Sequence, residues 1–419
     1  MIAQSTMIIK RRTLVMACCW LAYTAVYLLR NNLSVALPYI EAEYHISRAS
    51  LGLLSSVFLW VYGLGQLING YLGDKISAKY FMLLGLFMSC VMNMLFALTH
   101  AYWVMVLCWA ANGWFQSMLW GPISKTIANW FKPGESGGAM IVVSTSTAVG
   151  ALASMLVSGS LASNEGWRNL FLAPAIIGGA YLVIHMLVFQ DRPQGELVQS
   201  NDSMETAKQP LLPLKTILKR RDVQFVTIAC FCQGIVRDGI SLWAAMFFME
   251  AYGLDIKQAV LLMLLIPVAN FASVIGIGWL YKKHPLGLER LAAMTFMAGA
   301  AMTGALFFLW HAGAVIAMVL LALASATMCA ANTLLLGVYP LFFANEGRVS
   351  GMAGFLEFSA YLAAGCTAVL SGLLLDLMGW QSVLVLWLFV ALIGALALFM
   401  AKRVQNKAIQ CKSLDRANS

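Results

Sequence analysis

Residues 13–40 read TLVMACCWLAYTAVYLLRNNLSVALPYI, a long apolar run broken by one charge, Arg30. Residues 223–250 read VQFVTIACFCQGIVRDGISLWAAMFFME, with Arg237 and Asp238 in the middle. A helix crossing a bilayer needs about 20 apolar residues, and both runs are long enough. Working outward, runs of the same kind occupy 51–73, 80–100, 102–131, 137–161, 168–189, 258–281, 288–310, 312–343, 349–375 and 380–401, twelve in all. Of the 419 residues, 61% are hydrophobic and only 11% are charged, with a mean hydropathy of +0.79. Soluble domains carry about 25% charged residues. A soluble enzyme or nucleic-acid binder is therefore excluded, and the net charge of +9 reads as membrane topology. The nine cysteines lie almost all inside apolar runs and lack metal-ligand spacing. The first run follows Lys10-Arg11-Arg12 but is too long for a signal-peptide core and lacks a cleavage site, so it reads as a retained helix.

Twelve spans put both termini on one side of the membrane. With the termini inside, 22 of the 27 Lys and Arg residues fall in cytoplasmic segments and three, Arg48, Arg168 and Lys257, fall outside. The reverse orientation would invert the positive-inside bias. The remaining two are Arg30 and Arg237, inside spans.

The longest polar stretch, 190–221, contains three prolines and the basic cluster Lys219-Arg220-Arg221, and reads as a cytoplasmic linker. It divides a six-span bundle at 1–189 from a second at 222–402, with a tail at 403–419. The halves repeat weakly. RNNLS at 30–34 matches RDGIS at 237–241 at an offset of 207, and GYLGDK at 70–75 matches GWLYKK at 278–283 at 208. SGSL at 158–161 matches SGLL at 371–374 at 213, as Gly166-Trp167 matches Gly379-Trp380. A tandem six-helix repeat is a transporter architecture, with a midplane site between halves that rock.

An arginine at the bilayer centre costs about 2.5–3.5 kcal/mol on the insertion scale, so Arg30 and Arg237 are expected to face a wet interior, opposite each other in a pseudo-symmetric bundle. Two planar donor forks suit an oxyanion held by bidentate bonds. Tyr23, Tyr27, Arg30 and Ser34 share one helical face, and Gln233, Arg237 and Ser241 form the analogous stripe, with Trp243 nearby. The competing reading makes each arginine a structural ion-pair member. Against it, Asp238 is adjacent to Arg237, and neighbours on a helix do not face each other. Glu357 is either a proton-coupling group or a partner for a basic side chain, and Asp238 is a second coupling candidate. Gln66, Asn112, Gln116, Asn270 and Asn332 either line the cavity or bond between helices; Gln66, Gln116 and Trp120 are counted with the candidate binding residues. His185 reads as a packing residue, and Lys125 as a snorkelling one. Asp74, Lys75 and Lys79, between the second and third spans, are expected to pair with helix ends and gate the site, as are 135–138 and 348–351.

These residues resemble the major facilitator superfamily, and within it the organophosphate:phosphate antiporters, over nearly the whole chain. The resemblance rests on GYLGDK at 70–75, YLLRN at 27–31, NGWFQ at 112–116 followed by Trp120 and Pro122, and NWF at 129–131. It implies an all-α fold of two six-helix bundles, phosphoryl binding by Arg30 and Arg237, and a site role for Tyr23 and Tyr27. Three positions depart from the family pattern. Gln66 stands where sugar-phosphate carriers have lysine, Thr147 where they have histidine, and Leu242 where an acidic residue is expected. The smaller positive charge widens the expected cargo to phosphorylated, sulfonated or carboxylated metabolites. The expected function is secondary transport of a small organic anion by alternating access, exchanging it for inorganic phosphate or another anion. The alternatives are a proton-coupled symporter and a membrane receptor for a sugar phosphate. The spans contain no catalytic constellation, so no enzymatic activity, cofactor or metal is expected. The expected setting is the cell membrane, a bacterial inner membrane, with the chain monomeric and without nucleic-acid partners.

Overall fold

The computed structural model describes residues 2–45, 48–162, 166–192, 212–254, 256–284 and 286–417. Most of the expected linker, 193–211, lies outside the described residues. Among the described residues the chain is helical, with no strand. Eleven helices among the described residues are long and apolar enough to cross a membrane. A bilayer offers the backbone no water, so each span must satisfy its own polar groups, and helices do so. Large side chains such as Phe308, Leu187 and Leu156 stay exposed on outer faces, as lipid-facing positions require.

The helices are α1 (Ile2–Tyr44), α2 (Arg48–Lys75), α3 (Ala78–Leu98), α4 (Tyr102–Gln116), α5 (Trp120–Trp130), α6 (Pro133–Ala162), α7 (Asn169–Val188), α8 (Leu214–Leu218), α9 (Arg221–Tyr252), α10 (Ile256–Met263), α11 (Leu265–Lys283), α12 (Leu288–Leu309), α13 (Ala314–Asn332), α14 (Val349–Met378) and α15 (Trp380–Ala417). The expected span 102–131 is two helices, α4 and α5, and neither alone is long enough to count as crossing. The break at 117–119 is followed by Pro122, which has no N–H for the carbonyl four residues back and crowds it. The same device interrupts two other expected spans. α10 and α11 part at Leu264, ahead of Pro267, and α13 gives way to a π-helical turn at Thr333–Val338, ahead of Pro340.

The chain forms two compact units. The first comprises Met1–Leu211 with Pro340–Phe358, and the second Leu212–Tyr339 with Ser359–Ser419. The division falls inside the expected linker, and the start of α14 belongs with the first unit. In the first unit α1 packs on α6 and α7, α2 on α4, and α3 on α4 and α7. In the second, α9 packs on α15, α11 on α13, and α12 on α13 and α15. With α9 equivalent to α1, α11 to α2, α12 to α3, α13 to α4 and α15 to α7, the contacts of α1 with α7, α2 with α4, and α3 with α4 and α7 recur. A contact absent from the sequence reading recurs with it. Trp167 donates to Glu43 (2.5 Å), and Trp380 donates to Glu250 (2.8 Å), at an offset of 207 in the glutamates. In both units the tryptophan follows a glycine with positive φ, Gly166 (81°) and Gly379 (73°), a conformation that suits glycine. Glu43 also pairs with an arginine: Arg168 grips both its oxygens at 3.0 and 2.7 Å. These bonds, more than the one from Trp167, hold the Glu43 carboxyl down at about 2, against the usual 4.5.

Candidate functional site

In the first unit, α1 presents Arg30 to a cage of aromatic faces. Its guanidinium carbon lies 4.4 Å from the Tyr27 ring centroid, 5.4 Å from Tyr62 and 5.7 Å from Phe58. Such stacking offsets part of a cation's desolvation cost without supplying a counter-charge. Tyr23 joins the cage through its hydroxyl, 3.4 Å from that of Tyr62, and its ring packs 4.6 Å from Trp120. Glu357, on α14 within the first unit, is buried. Tyr23, Tyr27, Arg30 and Trp120 are thus brought together, with Tyr62 and Phe58 as members that the sequence reading missed. Ser34 lies one turn further on, exposed, with its hydroxyl donating to the Asn31 carbonyl (2.7 Å).

Gln66 and Gln116 are fully buried. Gln116 does not point at the cage. It donates to the Leu29 carbonyl (3.3 Å), which also accepts from Asn93 (3.1 Å) and Asn112 (3.0 Å). Ser89 donates to Asn112 (2.6 Å), and Asn32 donates to Asn93 (2.8 Å). Three amides from α3 and α4 therefore converge on the peptide immediately before Arg30. The interhelical hydrogen-bonding alternative is the one the geometry favours for Asn112 and Gln116; both hold the backbone that presents the arginine. The spacing of Asn112 and Gln116, one helical turn apart, was a usable signal; Ser89 and Asn93 on α3 repeat it. The Gln66 amide has no hydrogen-bond partner among the described residues.

In the second unit the expectation for Asp238 is corrected. Arg237 Nε and Nη2 donate to the two Asp238 carboxylate oxygens, at 2.9 and 3.0 Å, and Nη1 donates to Asn332 Oδ1 at 2.5 Å. Helical neighbours diverge at Cβ, but an arginine is long enough to fold back over one peptide and reach the shorter side chain. The α9 arginine thus carries its own counter-ion. Ser241, one turn on and exposed, donates to the Arg237 carbonyl (3.0 Å). Gln233, one turn back, is fully buried, with its amide unpartnered among the described residues. Trp243 stands elsewhere. Its ring packs against Trp380, 6.5 Å between centroids, and lies over Gly372. Six residues turn a helix by about 600°, which carries Trp243 off the arginine's face.

The Asp74 loop closes on the start of α14 within the first unit. The Asp74 carboxylate accepts from the backbone N–H of Ser350 (2.8 Å) and Gly351 (3.0 Å), with Arg348 at 3.7 Å. It satisfies amides that a helix N-terminus leaves open, where negative charge is favoured. α2 and α14 meet backbone to backbone: a Cβ on Gly70 would lie 2.7 Å from the Gly354 Cα. Lys75 lies over the Tyr71 ring (4.3 Å). The Lys79 backbone N–H donates to Asp191 (2.6 Å), which Ser77 also reaches. Lys125 does not snorkel. It donates to the carbonyls of Gly73, Asp74 and Ile76, at 2.7, 2.9 and 2.9 Å, and caps the end of α2. Asp74, Lys75, Lys79, Lys125, Asp191 and Arg192 line a cleft of about 580 Å³ in which basic groups outnumber acidic ones. Among the described residues no three His, Cys, Asp or Glu side chains converge as a metal site.

Residues 19–365 match the family model of the Major Facilitator Superfamily. The glycerol-3-phosphate transporter of Bacillus subtilis is 25% identical, over 86% of this chain and 86% of its own length. The membrane sensor protein UhpC of Escherichia coli is 25% identical, over 90% of this chain and 89% of its own. Among solved structures, the human organic anion transporter MFSD10 superposes with a TM-score of 0.75 at 13% identity, covering 92% of this chain and 99% of that one, and so shares its fold. Repeated packing, interrupted spans, the capped loop between α2 and α3 and these similarities agree: the chain belongs to the Major Facilitator Superfamily and is similar, within it, to the organophosphate:phosphate antiporters.

Proposed function

We propose that the chain carries a small organic anion across the cell membrane by alternating access, with Arg30 and Arg237 each binding the anionic group. The observation that carries this reading is the aromatic cage of Arg30. Ring faces lower the cost of keeping a guanidinium inside a membrane protein, and its planar fork of donors matches an oxyanion. The similarity to a glycerol-3-phosphate transporter favours a phosphorylated cargo. Gln66, in place of a lysine, extends the class to sulfonates and carboxylates. Exchange for inorganic phosphate is one mode open to such a carrier. The Asp74 clamp on α14 holds one side closed, assisted by Lys75 and Lys79. The positive-inside bias puts both termini in the cytoplasm, and the chain works as a monomer.

The test is a thermal-shift screen of purified protein against inorganic phosphate, glycerol 3-phosphate, taurine and glucuronate. A bound anion at 100 times its Kd stabilises the fold by about 2.7 kcal/mol, and Arg30→Ala and Arg237→Ala should abolish the shift. Stabilisation by neutral sugars alone, indifferent to both substitutions, refutes the reading. The similarity to a membrane sensor supports a second reading, ligand sensing without net flux; anion binding with no transport in proteoliposomes would select it.

A further inference from the structure

Obligate exchange requires an empty carrier that cannot return. Bare arginines in the binding site would give that property, because an uncompensated charge resists enclosure in a low-dielectric interior. Arg237 is not bare. Asp238 takes the two-donor edge of its fork, at 2.9 and 3.0 Å, which is the edge an oxyanion cargo would use. Asn332 takes the remaining terminal nitrogen.

Resting on the anion-transport reading above, we propose that Asp238 is an internal stand-in for the cargo: it neutralises Arg237 when the site is empty and yields to the incoming anion. Three features fit an exchangeable partner rather than a static one. The pair is not sealed by protein: the arginine and aspartate side chains are 21% and 29% exposed, which leaves space beside the guanidinium for a second anion and for the carboxylate to swing away. Asp238 is tethered one peptide away, so it returns at high effective concentration as cargo leaves. Asn332, the third party, is the last residue of α13, where the helix passes into the π-helical turn at Thr333–Val338; such turns sit frequently at functional sites. In this exchange the guanidinium keeps one anionic partner throughout. Arg237 then sets no charge barrier of its own against return of the empty carrier, and the dependence of uptake on a counter-anion is relaxed at this arginine.

The test uses full-length protein in proteoliposomes and radiolabelled glycerol 3-phosphate, inorganic phosphate and glucuronate. Vesicles contain either the same compound or only potassium chloride, with valinomycin to clamp the potential. For the wild type, uptake into unloaded vesicles should be measurable and a substantial share of uptake into loaded ones. Asp238→Asn removes a competitor worth no more than a partly exposed ion pair, so the probe's Kd should fall by about fivefold. The ratio of unloaded to loaded uptake should fall severalfold, and Asp238→Glu should restore it. Wild-type uptake confined to loaded vesicles overturns this inference and leaves the transport reading standing. So does an Asp238→Asn protein with unchanged Kd and unchanged ratio. Failure of the wild type to bind or exchange any of the three anions overturns both. The wild-type comparison needs no variant, so it holds even if a substituted protein misfolds.

Discussion

Replacing Asp74 with alanine removes the carboxylate that accepts from the amides of Ser350 and Gly351 at 2.8 and 3.0 Å. A hydrogen bond to a charged group contributes about 1.5–3 kcal/mol, so two at the low end give about 3 kcal/mol. Their loss leaves two helix-terminal amides unsatisfied beside a contact in which α2 and α14 touch through glycine. If the carboxylate holds this junction shut, removing it raises the opening equilibrium by roughly a hundredfold. Hydrogen exchange read by mass spectrometry reports that directly, in peptides covering 345–355. Exchange of Ser350 and Gly351 should accelerate by about two orders of magnitude in Asp74→Ala. Asp74→Asn, which retains one acceptor oxygen, should give about a tenfold effect, one bond's worth. Peptides from α12 should be unchanged, since that helix belongs to the second unit. Acceleration below about threefold in Asp74→Ala, under ~0.7 kcal/mol, would refute the clamp and leave Asp74 as a local cap only.

Glu43 gives a pH signature. Its folded-state pKa is lowered from 4.5 to about 2, so its stabilising contribution is present above 4.5 and is lost as pH falls through 2. Wild type should melt above Glu43→Gln at pH 7, and the difference should shrink below pH 4.5 and vanish near pH 2; a constant difference counts against the Arg168 pairing. Asn112→Ala deletes three side-chain bonds, to the Leu29 carbonyl, Ser89 and Gln116. Two of these are interhelical, and at about 0.6 kcal/mol per interhelical bond in a membrane their loss is about 1.2 kcal/mol. It should lower the unfolding midpoint and also weaken anion binding, by loosening the peptide before Arg30. An unaltered Kd in a destabilised protein would assign the network to packing alone.

Much of the fold was legible because a bilayer imposes its terms on composition. Apolar runs of sufficient length marked the spans, and RNNLS against RDGIS exposed the repeat. The contact scheme that recurs between the two units bears the repeat out. Where the reading missed, local rules were applied to long side chains or to distant partners. Lys125 has a snorkelling residue's sequence context, yet three carbonyls at the end of α2 lie within its reach. Trp243 was grouped with Arg237 by proximity in sequence, although helical rotation alone separates them.

The sequence by itself determined that this chain lives in a membrane as twofold-repeated helices with one arginine in each half, because charge inside apolar runs is costly and cannot be incidental. Only the tertiary structure decided how those arginines are kept. Arg30 rests on rings from two helices, and Arg237 folds back onto its neighbour and an asparagine 95 residues away. Partners of a long, flexible cation are chosen by what packing brings within its reach, and no spacing rule along a single helix encodes that choice.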